Sequence, residues 1–251
     1  MGKIIAVVNQ KGGVGKTTSA VNLTAALTEL GKKVLLCDFD PQANATSGLG
    51  INRKKIAKSV YDVVINDVPA ADAIVSTKHG DVLPSTADLA GAGVELIAMP
   101  DANYRLAKAL SAVKDSYDVI FIDCPPSLEL LTINGLAAAD SILVPVQCEY
   151  YALEGLSDLM STLRLIKHRI NPKLEIFGVA LTMFDGRTNF STQVAQEVRR
   201  HFPGKVFATV VPRNIRLAEA PSHGLPVTAY DRSSRGSQAY RDMAAEIIKK
   251  L

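Results

Sequence analysis

Asn9 to Thr18 reads NQKGGVGKTT, and this stretch limits what the chain can become more than any other. An apolar run, Ile4-Ile5-Ala6-Val7-Val8, precedes it. A helical pattern follows, with Ala20, Leu23, Leu27 and Leu30 on one face and Gly31 as a stop. Strand, glycine-rich loop and helix, in that order, form the setting in which such a loop holds phosphate. Gly12, Gly13 and Gly15, with Val14 among them, let backbone N–H groups close on an anion. The dipole of the following helix adds to the attraction. Lys16 brings a charge to the β- and γ-phosphates of a nucleotide, and the hydroxyl of Thr17, followed by Thr18, brings a ligand for Mg²⁺. The general pattern G-x-x-x-x-G-K-[ST] asks for glycine at position 10. The chain has Gln10 there and a further lysine, Lys11, ahead of the glycines. A glycine-rich turn that binds nothing is the bland alternative, and two carboxylate motifs downstream weigh against it.

The first is Lys33-Val34-Leu35-Leu36-Cys37-Asp38, an apolar run ending in an acid, followed by Phe39-Asp40-Pro41-Gln42. Continuous apolar residues indicate a strand buried on both faces, as in parallel sheets. Carboxylates at the carboxyl end of such a strand stand where open α/β sheets bind ligands. One of the two acids acting only as a helix cap is the alternative. The second is Tyr117-Asp118-Val119-Ile120-Phe121-Ile122-Asp123-Cys124-Pro125-Pro126. It again ends a strand in an acid, here suited to coordinate Mg²⁺ directly or through water. Its alternative is an Asp123 that caps a helix at Ser127.

Ser141 to Gln147 and Leu174 to Phe184 read as further strands, and Tyr151 to His168 as a long helix. Between residues 45 and 116 the signals are weaker. Ser59 to Asn66, Leu89 to Ile97 and Tyr104 to Val113 are helical patterns, and Asp81 to Pro84 is a short strand. The alternation implies an α/β fold, doubly wound, with a mostly parallel sheet and helices on both faces. Without a linker or repeat, a single domain over residues 1–251 is expected.

With 47% hydrophobic and 21% charged residues the composition is that of a soluble globular protein. No apolar run reaches the ~20 residues of a membrane span, and the start shows no signal-peptide pattern, so a cytoplasmic protein is expected. Cys37, Cys124 and Cys148 form no C-x-x-C pair and read as buried thiols. The four histidines lack zinc-ligand spacing. Net charge is +3, but residues 1–163 carry −5 and residues 164–251 carry +8. The basic third points to a polyanion partner, against ordinary solvated faces.

KGGVGKTT resembles the deviant phosphate loop of the ParA/MinD group of ATPases, which includes the nitrogenase iron protein. Asp38-Phe39-Asp40-Pro41-Gln42 resembles that group's first switch, and IDCPPS, from Ile122, its second, which senses the γ-phosphate. CEYYALEGL, LTMFDGRTN, PRNIRLAEAPSHG and the stretch near Ser234-Arg235-Gly236 resemble chromosomal ParA proteins of the Soj type, so the likeness spans nearly the whole chain. It implies a Mg²⁺-dependent ATPase that acts as a switch in chromosome or plasmid partitioning. It also implies residue roles. Lys11 reaches the nucleotide of a second subunit, Lys16 holds the phosphates, Asp40 orients the attacking water, and Asp38 supports Mg²⁺ through water. Pro212 and Asn214 lie on the adenine side. Arg187 and Arg216 contact double-stranded DNA without sequence preference, where the alternative is a surface arginine paired with a local carboxylate such as Glu219. The implied partners are a second copy of the chain, DNA, a ParB-type centromere-binding protein and, in some relatives, the replication initiator, which places the protein on the nucleoid.

Three other readings share the loop. A MinD-like membrane ATPase needs a basic amphipathic tail, where this chain offers the short run Ala244 to Leu251. An iron–sulfur reductase needs surface cysteines from two subunits, with Cys124 as its candidate. A small-metabolite kinase or ligase lacks a recognisable substrate constellation.

Overall fold

Six of the seven strands among the described residues, and the helices between them, follow from the alternation in the sequence. The computed structural model describes residues 2–149 and 152–251. The strands are β1 (Lys3–Val7), β2 (Val34–Asp38), β3 (Val75–Thr77), β4 (Gly80–Leu83), β5 (Val119–Asp123), β6 (Ser141–Gln147) and β7 (Glu175–Thr182). They form one sheet in the order β3-β4-β2-β5-β1-β6-β7. Only β3 runs antiparallel to its neighbour, β4. The chain leaves β1 to build one side of the sheet through β2 and the other through β6 and β7. The carboxyl end of β1 is therefore the point where strand order reverses, which opens a crevice for ligands.

Burial explains the apolar runs. Every residue of β2 and β5 is buried, because helices cover both faces of the sheet. Successive side chains alternate between two cores. Ile4 and Ala6 join Val60, Leu89, Leu106, Leu131 and Leu156 on one face. Ile5 and Val7 join Leu23, Leu27, Tyr240, Met243 and Ile247 on the other, supplied by helices Lys16–Glu29 and Arg235–Ile248. That second core settles the fate of the C-terminal run: Ala244 and Ile247 are fully buried there, so the last helix is a core helix.

Some expectations move. The patterns at 59–66 and 104–113 shorten to helices Val60–Ile65 and Arg105–Ser111, and the long helix is Ala152–Arg169, with Tyr151 outside the described residues. Leu30, placed on the buried face of the first helix, is 48% exposed. It is the C-cap, and Gly31, with φ of 81°, turns the chain away before another helical turn can bury it. β3 has no counterpart in the sequence reading, since three residues on a sheet edge show no alternation. Among the described residues, no helix is long and apolar enough to cross a membrane.

Candidate active site

The register of the central strands builds the site. Val7 aligns with Asp123, and Asp123 aligns with Asp38. The loop leaving β1 and the two strand-end acids therefore share the crevice at the reversal of strand order.

Groups distant in sequence hold the loop. The Asn9 amide donates to the Pro145 carbonyl at 2.8 Å, and its oxygen accepts the Lys11 N–H at 3.0 Å. Gln10, the residue that departs from the general pattern, donates to the Thr162 hydroxyl at 3.1 Å. The Thr182 hydroxyl, at the end of β7, donates to the Val14 carbonyl at 2.8 Å. Gly13 and Gly15 have φ of 75° and 91°, which glycine adopts without steric penalty. Gly15 caps helix Lys16–Glu29 without a side chain, leaving the first-turn N–H groups open to an anion. Replacing Thr182 with valine keeps its shape but strips the Val14 carbonyl of its donor. A urea unfolding titration is expected to read a loss of about 1–3 kcal/mol.

Lys16 is buried, and its ammonium donates to the Lys11 carbonyl at 3.0 Å. Burial lowers its pKa, while the charges of Asp123 and Asp40 act against that shift. Lys11 forms an ion pair with Glu149 at 3.6 Å.

The carboxylates differ in their surroundings. Asp38 is fully buried. One of its oxygens accepts the Thr46 N–H at 2.7 Å and the Thr46 hydroxyl at 2.6 Å; the other accepts the Asp40 N–H at 3.4 Å. Burial pushes its pKa up to about 6 against the Thr46 hydrogen bonds. Thr46 lies in helix Asn44–Gly48, so the helix-capping alternative describes part of what Asp38 does. Asp40 is partly buried and accepts the Gln42 N–H at 2.9 Å. Its carbonyl takes a hydrogen bond from the Ser85 hydroxyl at 2.8 Å. Asp123 caps no helix, because the next one begins at Leu130 behind Glu129. Both of its oxygens are buried without a hydrogen-bond partner. The Thr17 hydroxyl approaches closely enough to favour the charged form without closing a bond of normal geometry. Desolvation, followed by the neighbouring charge of Asp38, raises the Asp123 pKa well above the carboxylate range.

A buried carboxylate with no partner is costly, and a divalent cation between Asp123 and Thr17 would remove that cost. Among the described residues, no three His, Cys, Asp or Glu side chains gather into a metal cage. That fits Mg²⁺, which takes one or two protein ligands and completes its shell with water and substrate phosphate.

Beside the loop lies a pocket of about 530 Å³ whose lining includes Gly15, Thr18, Thr182, Pro212, Asn214 and Tyr240. The structure thus brings Pro212 and Asn214 next to the phosphate loop. Asn214 also caps helix Ile215–Glu219, accepting the Arg216 N–H at 2.8 Å. The two arginines are exposed and paired with carboxylates. Arg187 binds both oxygens of Asp185, at 2.9 and 2.7 Å, which holds Asp185 down at about 2. Arg216 meets Glu219 at 2.8 Å and Asp231 at 3.2 Å, the arrangement foreseen as the alternative for a surface arginine. Segment 184–187 sits against segment 211–213 through the Arg213 N–H, which donates to the Phe184 carbonyl at 3.0 Å. Arg213, not singled out by sequence reading, lines the pocket beside the phosphate loop.

Thr46, Ser85, Thr182 and Glu149 were also missed. Ser85, Thr182 and Glu149 act through partners far away in sequence, and Thr46 reaches Asp38 across the turn between them, so no local motif announces these contacts. Cys124 is 1% exposed, and its thiol lies 2.7 Å from where a Cβ on Gly135 would be. A thiol packed beneath a helix cannot share a surface cluster between two subunits.

The fold and the crevice define a phosphate-loop nucleotide hydrolase. In keeping with this, cobyrinic acid a,c-diamide synthase from Mycobacterium smegmatis, solved with bound ADP and magnesium, superposes with a TM-score of 0.86. It is 38% identical, over 99% of this chain and 95% of that one. The family model described as AAA domain matches residues 2–176. The sporulation initiation inhibitor protein Soj of Bacillus subtilis is 56% identical over 98% of each chain. The chromosome partitioning protein ParA of Myxococcus xanthus is 50% identical over 100% of this chain and 89% of its own. The chain belongs to the ParA/Soj family of chromosome-partitioning ATPases.

Proposed function

We propose that the protein is an ATP-driven switch that carries DNA cargo by binding and releasing the chromosome. ATP seats its phosphates on residues 11–18 and its base in the pocket at Pro212 and Asn214. Thr17 and Asp123 hold Mg²⁺, with Asp38 behind them; Mg²⁺ when bound neutralises charge on the phosphates. Lys16 binds the β- and γ-phosphates. Asp40, at the open end of the crevice, accepts a hydrogen bond from the attacking water and orients it. Two ATP-bound copies pair face to face, Lys11 of each leaving Glu149 to complete the other's site. The dimer aligns Arg187 and Arg216 of both copies on one basic face that binds double-stranded DNA through its phosphates. A ParB-type partner stimulates hydrolysis, which separates the copies and frees the DNA on the nucleoid. The replication initiator is a further partner of the same switch.

The observation that weighs most is the near-complete coverage of a chromosome partitioning relative at 50% identity, above the 38% of the synthase. The charge asymmetry supports the DNA step. The MinD-like membrane reading is weakened by the core burial of Ala244 and Ile247.

Asp40→Ala is expected to stop turnover while preserving ATP binding, leaving an ATP-loaded dimer visible by light scattering. Rapid ATP hydrolysis by that variant would contradict the role of Asp40. The same protein tests the DNA step. It should bind duplex DNA with ATP and not with ADP, with affinity falling steeply as salt rises. Arg216→Ala should weaken binding across all sequences and flatten the log–log salt slope by about 1 per subunit. Absence of binding in both nucleotide states, with the dimer intact, would move the basic third to another polyanion.

A further inference from the structure

A cleft of about 890 Å³ lies at the edge of the sheet, apart from the phosphate loop. One wall is β3, hydrogen-bonded to β4 on one side and last in the sheet on the other. Its Val75 and Ser76 are exposed. In an antiparallel pair, alternate residues direct N–H and C=O groups away from the partner strand, and an open edge of this kind is a template for another strand. The facing wall is residues 49–58, and the lining between is largely apolar, including Leu49, Ile56 and Ile74.

The rim is basic. Arg53, Lys54, Lys55 and Lys58 occur within residues 50–58 with no acid among them. Lys55 and Lys58 line the cleft, with Lys78 across from them on the β3–β4 turn. The acid in the lining, Asp72, is already held by Lys58 at 3.1 Å. Arg53 ties this wall to helix Asn44–Gly48, donating to Ser47 at 2.6 Å and to Asn44 at 3.2 Å. That helix carries the Thr46 that holds Asp38.

We propose that this cleft receives an extended acidic peptide segment of a protein partner. The segment adds a strand to β3, buries alternate apolar side chains against Ile56 and Ile74, and sets its carboxylates on Lys55 and Lys78. Main-chain pairing supplies affinity and the lysines select for acid. The apolar lining and the open strand edge favour a peptide over a nucleic acid, which would use the lysines alone.

The test is fluorescence anisotropy on the full chain with a short labelled peptide alternating valine and glutamate. A valine–lysine peptide and a duplex oligonucleotide serve as controls. The acidic peptide should bind saturably and the basic one should not. Lys55→Glu combined with Lys78→Glu should weaken binding by about tenfold or more, with ATP turnover unchanged. Ser76→Pro, which places a proline on the open edge, should weaken it similarly. Equal binding of the basic peptide, undiminished binding by the charge-reversed protein, or duplex DNA captured at this cleft in place of the peptide would overturn the proposal.

Discussion

Asp123→Asn protein should turn over ATP about a hundredfold more slowly than the parent, or worse, and Mg²⁺ with ADP should no longer raise its melting temperature. Losing one of the few protein ligands to a catalytic cation removes several kcal/mol of charge stabilisation. Ligand-induced stabilisation disappears with the affinity that produced it. Without nucleotide and metal the sign reverses. The parent buries a carboxylate with no hydrogen-bond partner, whose pKa is raised by desolvation and then by Asp38. A raised folded-state pKa means that the stabilising protonated form is complete below the ordinary carboxylate pKa and is lost as pH rises through the raised one. The asparagine variant has no such loss. Metal-free melts from pH 4 to 8 should therefore show the variant gaining on the parent as pH rises. A gap that stays constant or closes would remove the buried charge from the account.

Gly12→Val should abolish the ATP-dependent dimer while leaving the monomer's melting temperature within about one degree. A Cβ on Gly12 meets nothing within 4 Å, and its φ is outside the left-handed region, so the isolated chain accommodates a side chain there. The neighbouring glycines differ. Gly15 has φ of 91° and would set a Cβ 3.7 Å from Thr182, so substitution there strains the folded chain at a cost of about 1–2 kcal/mol. At Gly12 the penalty falls on the face-to-face dimer, where a two-fold axis repeats each clash. Overpacking costs about 1–3 kcal/mol per site, so the paired cost is ~2–6 kcal/mol, between about 30-fold and 10⁴-fold in affinity. Sedimentation velocity with ATP reads this directly. A dimer of parental strength would place Gly12 away from the interface and sink the sandwich arrangement.

The sequence by itself determined the phosphate loop, the strand-end acids and the alternation that makes the sheet. These are local patterns: glycines beside Lys16 and Thr17, apolar runs ending at Asp38 and Asp123, and helical periodicity after Gly15. Their chemistry is carried by residues adjacent in the chain, and periodicity reports burial directly. The edge strand β3 escaped because three residues, none of them buried, carry no period.

Only the tertiary structure decided which acids become neighbours and in what state. β2 and β5 lie side by side although β3 and β4 intervene in sequence, and nothing within either strand specifies that pairing. Parallel pairing puts Asp38 beside Asp123. It is the packing around them that leaves Asp123 without a partner while Thr46 satisfies Asp38. The same holds for Thr182 on Val14, for Glu149 on Lys11 and for Asp231 on Arg216. A hydrogen bond or charge pair needs atoms within a few ångströms, and only the folded chain brings atoms so far apart in sequence to that distance.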